Sequence, residues 1–294
     1  MNSQLSDRIK MKSATFSKGQ RLIAKYIEEH SDKVAFMTAS RLGATVGVSE
    51  STVVRFATEI GYSGYPALQQ AMQEMIRSKL TSVQRLEMTS SNIAPERLLD
   101  AVLDAVLEQD IDILRRTKET VNREDFYRAA DALQRAQRVY ILGAGSSLAL
   151  ATFLSHYFRL VFDTVHLVEA TSEATILQQM IHAGEGDAII AISFPRYSKK
   201  AAKALQYASD RGVSTIAITD SPLSPLARHA SHVLLARSDM VSFVDSLVGP
   251  LSLINALIVT VAIRRKGEVA DTLRKIENIW DEYGVYEKVD EANN

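Results

Sequence analysis

The chain has 294 residues, of which 46% are hydrophobic and 23% charged, with a net charge of -1 and no cysteine. This composition is globular and not disordered, and the length is enough for two domains of ordinary size. The lack of cysteine excludes disulfides, cysteine nucleophiles and thiolate metal sites, and suits a reducing cytoplasm.

In chain order, the opening MNSQLSDRIKMKS has no apolar core of signal-peptide type. Gln20 to His30 is a helical pattern with Leu22, Ile23, Tyr26 and Ile27 expected inward. Thr38 to Leu68 then has the layout of a helix-turn-helix, in which one helix braces and the next lies in a DNA major groove. Ala39 to Val46 is the bracing helix, with Leu42 and Val46 inward. Gly47 is placed for the turn, and Val48 for the angle between the helices. Ser49 is the expected N-cap of the second helix, Glu50 suits its positive end, and Gly61 closes it. Val53, Phe56, Ala57 and Ile60 share one face. Ser51, Arg55 and Thr58 share the other, with Thr52 on the flank; with Ser49 these are the candidate DNA contacts. An ordinary helical hairpin has the same spacing. Charge adds support, since residues 1–85 hold 12 basic and 7 acidic residues against 22 and 28 in the remainder.

Thr81 to Pro95 is polar and is expected to be a linker, with Pro95 opening a helix that runs to Thr117. Along that helix Leu98, Leu99, Val102, Val106, Leu107 and Leu114 are apolar, and a further helix spans Arg123 to Ala136. From Arg138 short β-branched runs alternate with helical patterns. The expected strands are Val139–Leu142, Val165–Val168, Ala188–Ser193, Ser214–Thr219 and His232–Leu235. Helices are expected at Leu148–Phe162, Ser172–Ala183, Lys199–Arg211 and Leu251–Arg265. This rhythm implies βαβ units around a five-stranded parallel sheet with helices on both faces, a three-layer, Rossmann-like α/β domain behind an all-α head. Leu247 to Ile263 is apolar, but it is short for a membrane span and contains Gly249, Pro250, Ser252, Asn255 and Thr260. It is expected to be a buried helix of a protein with no membrane partner. Glu268 to Tyr283, with Trp280, is the last helix. The expected division is 1–80 head, 81–122 linker and connecting helix, 123–266 α/β domain, and 267–294 C-terminal helix.

Ligands of parallel sheets bind at the carboxyl ends of the strands. After the first strand comes Gly143-Ala144-Gly145-Ser146-Ser147, where glycines admit close approach, serines offer hydroxyls and a helix N-terminus follows. It is not the dinucleotide fingerprint, because Leu148 stands where the third glycine belongs. After the third strand comes Ser193-Phe194-Pro195-Arg196-Tyr197-Ser198. Here Ser198 is a natural N-cap and Arg196 can fork onto a phosphate or carboxylate. After the fourth comes Thr219-Asp220-Ser221-Pro222.

These stretches carry a resemblance. GAGSS at 143–147, AIIAISF leading to Ser193 and Ser198, and AITDSPLSPLARHASHVLLA at 217–236 resemble a sugar isomerase (SIS) domain. TASRLGATVGVSESTVVRFATEIGYSGYPAL resembles the helix-turn-helix of RpiR-type regulators, and head followed by SIS domain is the order of that family. The resemblance implies a bacterial transcription regulator, more often a repressor, that senses a phosphosugar or related metabolite. It implies that Ser146 and Ser147 of the first loop and Ser193 and Ser198 of the second hold the sugar phosphate; Gly145, Arg196, Asp220 and Ser221 join the candidate effector set from their place at the strand ends. The second loop departs from the usual S-x-S-G-x-T pattern. Pro195 replaces the Ser/Thr and Arg196 the glycine, which favours either a phosphate clamped by Arg196 or another anion such as a sugar acid.

The competing expectation is an isomerase, which needs a base such as Glu169, Glu173 or His182 near the substrate carbon; a ligand-free scaffold is a third. The head favours the regulator, with no enzyme activity and no cofactor. His229 and His232 lack the partners of a metal site and are expected to be structural. The expected partners are double-stranded operator DNA, the anionic effector and further copies of the chain, as homodimer or homotetramer, in the cytoplasm.

Overall fold

The computed structural model describes residues 3–76, 83, 98–239 and 244–286. Contacts divide the chain into two compact units, 1–96 and 97–294. The expected linker, apart from Val83, and the expected helix start at Pro95 lie outside the described residues.

In the first unit, α1 (Ser3–Lys12) leads through a 3-10 turn to α2 (Lys18–Val34), α3 (Ala39–Val46), α4 (Glu50–Glu59) and α5 (Tyr65–Ile76). A capping box starts α2: the Ser17 hydroxyl accepts from the Gln20 amide, and the Gln20 side chain accepts from the Ser17 amide. Ile23, Ile27, Leu42, Val53, Phe56, Leu68 and Met72 are buried together with Leu5, Ile9 and Phe16. Thus α1 and α5 complete the core that α2, α3 and α4 share. One expectation fails. Leu22 is 45% exposed, because the buried arc of α2 centres on Ile23, Ala24 and Ile27 and leaves Leu22 beyond its edge. Tyr26, Val46 and Val48 are only half-buried.

The second unit opens with α6 (Leu98–Thr120) and α7 (Arg123–Arg135). β1 (Val139–Gly143), α8 (Ser147–Phe158), β2 (Val165–Val168), α9 (Glu173–Gln179), β3 (Ala188–Ile192), α10 (Lys199–Ser209), β4 (Ser214–Thr219) and β5 (His232–Leu235) then alternate. All pairings are parallel, in the order β2-β1-β3-β4-β5. β1 and β3 are buried along their whole length, as strands covered on both faces must be, while the edge strands β2 and β5 are partly open. One face packs Leu133, Leu150, Leu154, Phe158, Ile254 and Leu257 against the sheet; the other packs Ile176, Met180, Leu205 and Ala208. Each expected strand is present to within one residue.

α11 (Val248–Arg264) buries Leu253, Ile254, Leu257 and Val261, and α12 (Lys266–Tyr283) leaves it at a bend of 100°. Among the described residues no single helix is long and apolar enough to cross a membrane. α6 packs on α11 within this unit. Ile113 and Thr117 are buried there, and Thr117 Oγ1 accepts from the Arg237 amide at 3.0 Å.

Candidate DNA-reading and effector sites

The geometry of α4 follows from its caps. Ser49 Oγ accepts from the Thr52 amide, and Ser51 Oγ and Thr52 Oγ1 lie 2.9 and 2.8 Å from it. At the far end Gly61 has φ +87. The Gly61 amide donates to Thr58 O and the Tyr62 amide to Ala57 O, the paired bonds of a Schellman closure. Arg8 of α1 donates to Gly61 O at 3.0 Å and lies over the Tyr62 ring, so this cation holds the helix end. Val53, Phe56 and Ala57 are buried, which fixes the rotation of α4 and leaves Ser51, Arg55 and Thr58 in solvent. Thr52 is half-buried, its methyl near Gly19. The Arg55 Nε donates to Ser51 O at 3.3 Å, and Thr58 Oγ1 donates to Arg55 O at 2.9 Å.

Sequence reasoning passed over Gly43. A Cβ there would lie 2.8 Å from Val48 O and 3.3 Å from the Glu50 amide, so α3 meets the turn only because position 43 has no side chain. A glycine inside a helical pattern is the signal that pointed to it.

In the second unit the carboxyl edge collects the expected loops. Their first glycine has a different task from the one expected. Gly143 is buried, and a Cβ would stand 2.3 Å from Ser147 O, so this glycine seats α8 against β1. Gly145, at φ +61, is the exposed one. Ser146 is exposed and its hydroxyl makes no cap bond, whereas Ser147 is 3% exposed. The amides of Leu148 and Ala149 turn back to Gly145 O and Ser146 O, so the amides of Ser146 and Ser147 are the helix donors nearest the mouth.

The second loop is held from within. Ser193 is buried, and its hydroxyl accepts from the Ser198 amide at 3.0 Å; Ser198 in turn caps α10 by accepting from Ala201. Phe194 and Pro195 are buried. Arg196 has φ +67, alone among non-glycine residues with positive φ in the described chain. The backbone therefore takes the left-handed shape that glycine favours, while an exposed arginine stands at the rim. Tyr197 Oη donates to Asp220 Oδ1 at 2.8 Å, tying the loop after β3 to the loop after β4. Ser221 Oγ accepts from the Leu223 amide. Lys200, which sequence reasoning had only placed at a helix start, donates to Ala170 O and Thr171 O and ties in the loop after β2.

The candidate bases are otherwise engaged or exposed. Glu173 is paired with Lys203 at 2.8 Å, and Glu169 and His182 are exposed. His232 Nδ1 lies 3.3 Å from Asp125 Oδ1, and Asp125 Oδ2 accepts from the Val233 amide.

Comparison with known proteins matches this architecture. The profile described as "Helix-turn-helix domain, rpiR family" covers residues 3–79, and that described as "SIS domain" covers 132–260. The chain belongs to the RpiR family. This RpiR-family chain is 25% identical over 281 residues to the HTH-type transcriptional regulator HexR of Pseudomonas aeruginosa, with 93% of this chain and 94% of HexR covered. The crystal structure of the sugar isomerase domain of an RpiR transcription factor from Sphaerobacter thermophilus is 34% identical. It covers 60% of this chain and 99% of that one, with a TM-score of 0.57. The Vibrio vulnificus NanR protein complexed with ManNAc-6P shares the fold at 22% identity and a TM-score of 0.58, covering 95% and 98%. The RpiR-family chain is thus a transcriptional regulator with a DNA-binding helix-turn-helix and an SIS domain.

Proposed function

We propose that this regulator is a repressor that reads an operator with α4 and releases or grips it according to an anionic sugar metabolite at the carboxyl edge of its SIS sheet. The observation that carries this reading is the rim itself. Ser146 and Ser198 bring hydroxyls, Arg196 and Lys200 bring positive charge, and the Ser146 and Ser147 amides complete an oxyanion-binding set. The NanR complex with ManNAc-6P supports a phosphosugar, and the Arg196 substitution extends the choice to a sugar acid. On α4, Ser51, Arg55 and Thr58 face bases, with Ser49 and Thr52 near the backbone. A dimer or tetramer would place two such helices on a palindromic site, half-sites about one turn or a multiple apart. Ligand binding changes DNA affinity only through different affinities for the DNA-competent and incompetent states. Glu173 and His182, engaged or solvated as they are, support regulation over isomerisation.

Thermal unfolding against sugar phosphates, sugar acids and neutral sugars tests the reading. A true effector at ~100 times its dissociation constant adds roughly 2.7 kcal/mol. The same ligand should then change operator affinity in fluorescence anisotropy. Arg196→Gly sharpens the test, because glycine adopts the left-handed shape freely while the whole arginine side chain is removed. The variant should melt higher, bind operator normally without ligand, and lose its response. A response of full strength in that variant would remove Arg196 from the site.

A further inference from the structure

Opposite the carboxyl edge, α7 and the amino-terminal ends of β3, β4 and β5 border an open cavity of about 400 Å³. Its floor is made of small residues. Ala132 lies on α7, Ala136 is the extended residue that caps its carboxyl end, and Gly186 has φ +88. Its walls carry Arg128 and Arg135, two turns apart on one face of α7, with the Ser214 hydroxyl and the His232 ring.

The pairings around this cavity leave one kind of charge over. Asp187, its side chain fully buried, is saturated by a two-bond contact with Arg138, at 3.0 and 2.9 Å, and by the Gly184 amide. Asp131 is bound by Arg264 at 2.7 Å. Arg128 is paired with Glu124, and His232 is held at Nδ1 by Asp125. Arg135 bonds only through Nε, to Asp131 O at 3.2 Å; among the described residues it has no carboxylate partner. An arginine in that position presents its terminal amino groups as a fork for an oxyanion. Ser214 Oγ and the His232 Nε2 add two further polar groups able to bond hydroxyls or oxyanion oxygens.

We propose that this cavity is a second ligand site, independent of the carboxyl-edge effector, for a compact hydroxylated molecule bearing one phosphate or carboxylate group anchored on Arg135. The small-residue floor gives room for the carbon skeleton, and the half-exposed Asp131 carboxylate accepts its hydroxyls. The site stands whether or not the carboxyl edge binds a sugar metabolite, because no residue is shared between them.

The experiment is imidazole NMR on the full-length protein, which has only six histidines. His232→Gln assigns the signal, and glycerol 3-phosphate, glycerate and glycerol are the probes. A saturable shift of the His232 resonances with either anion, and not with glycerol, is expected; the anion that saturates at lower concentration identifies the head group. Arg135→Gln should weaken binding roughly tenfold or more, as loss of a charge-assisted bond does. Ser146→Ala should leave the titration unchanged. No saturable shift with either anion, equal shifts with glycerol, or undiminished binding by Arg135→Gln would each overturn the proposal. Loss of binding in Ser146→Ala would do so too, by returning the ligand to the carboxyl edge.

Discussion

The reader helix and the rim of the SIS sheet carry their candidate side chains in opposite ways. On α4 the fold is finished by Val53, Phe56, Ala57, the Ser49 cap and the Arg8 clasp. Ser51, Arg55 and Thr58 stand in solvent with only local bonds along α4, and Ser49 and Thr52 are shared with the cap. On the rim the candidate groups are themselves part of the fold. Ser193 closes its own loop, Ser198 caps a helix, and Tyr197 and Asp220 hold two loops together. A surface built the first way can change its specificity without touching its stability. One built the second way changes both together.

Substitutions can break or sharpen that contrast. The largest effect is expected at Gly143→Ala, where the new methyl meets Ser147 O at 2.3 Å. Backbone has to move, so denaturant unfolding of the SIS unit should lose more than about 3 kcal/mol. A near-neutral result would mean that α8 can slide freely on β1.

Next comes a pH effect in the head. Burial pushes the Tyr65 hydroxyl up to about 12, and it donates to Met37 O at 2.8 Å. The phenol is neutral in the folded state and ionises near pH 10 when unfolded. Its stabilisation is therefore present in full below pH 10 and lost as the pH rises from 10 to 12, by roughly 2–3 kcal/mol. Urea midpoints over that range should fall more steeply in the native protein than in Tyr65→Phe. Parallel curves would remove Tyr65 as the cause.

Ser193→Ala should follow at about 1–3 kcal/mol, because it strips the Ser198 amide of its acceptor inside the loop. Ser146→Ala, on the open side of the same rim, should stay within about 0.5 kcal/mol. Equal losses from the two would erase the distinction between closing and facing hydroxyls. Smallest in stability is Arg55→Ala, again within about 0.5 kcal/mol, although operator affinity should fall by ~1–3 kcal/mol. Unchanged affinity would take Arg55 off the reader face.

The sheet was legible in the sequence because its strands are short apolar runs with few other uses, as AIIAI at 188–192 illustrates. The caps Ser49 and Ser198 were legible because a hydroxyl before a helical pattern has a local partner three residues on. What depended on distant residues was not. The exposure of Leu22 is decided by which neighbours cover α2, and the task of Gly143 by how closely α8 approaches. The Tyr197–Asp220 bond spans 23 positions and the Asp125–His232 contact 107, and no local pattern announces either. For the second loop the resemblance pointed to an arginine where a glycine is usual. That the backbone would take the shape glycine favours is a property of the closed turn between Ser193 and Ser198.

The strand order β2-β1-β3-β4-β5 places β1 and β3 side by side although the chain visits β2 between them. The two candidate effector loops therefore leave the sheet in neighbouring positions yet belong to separate stretches of chain. Each can be rewritten alone, by exchange of a handful of residues between a strand and a helix that stay as they are. The 193–198 loop, with Pro195 and Arg196 at its turn, is one such segment. Transplanting those six residues between SIS domains offers a route to sensors whose chemical vocabulary changes while their framework does not.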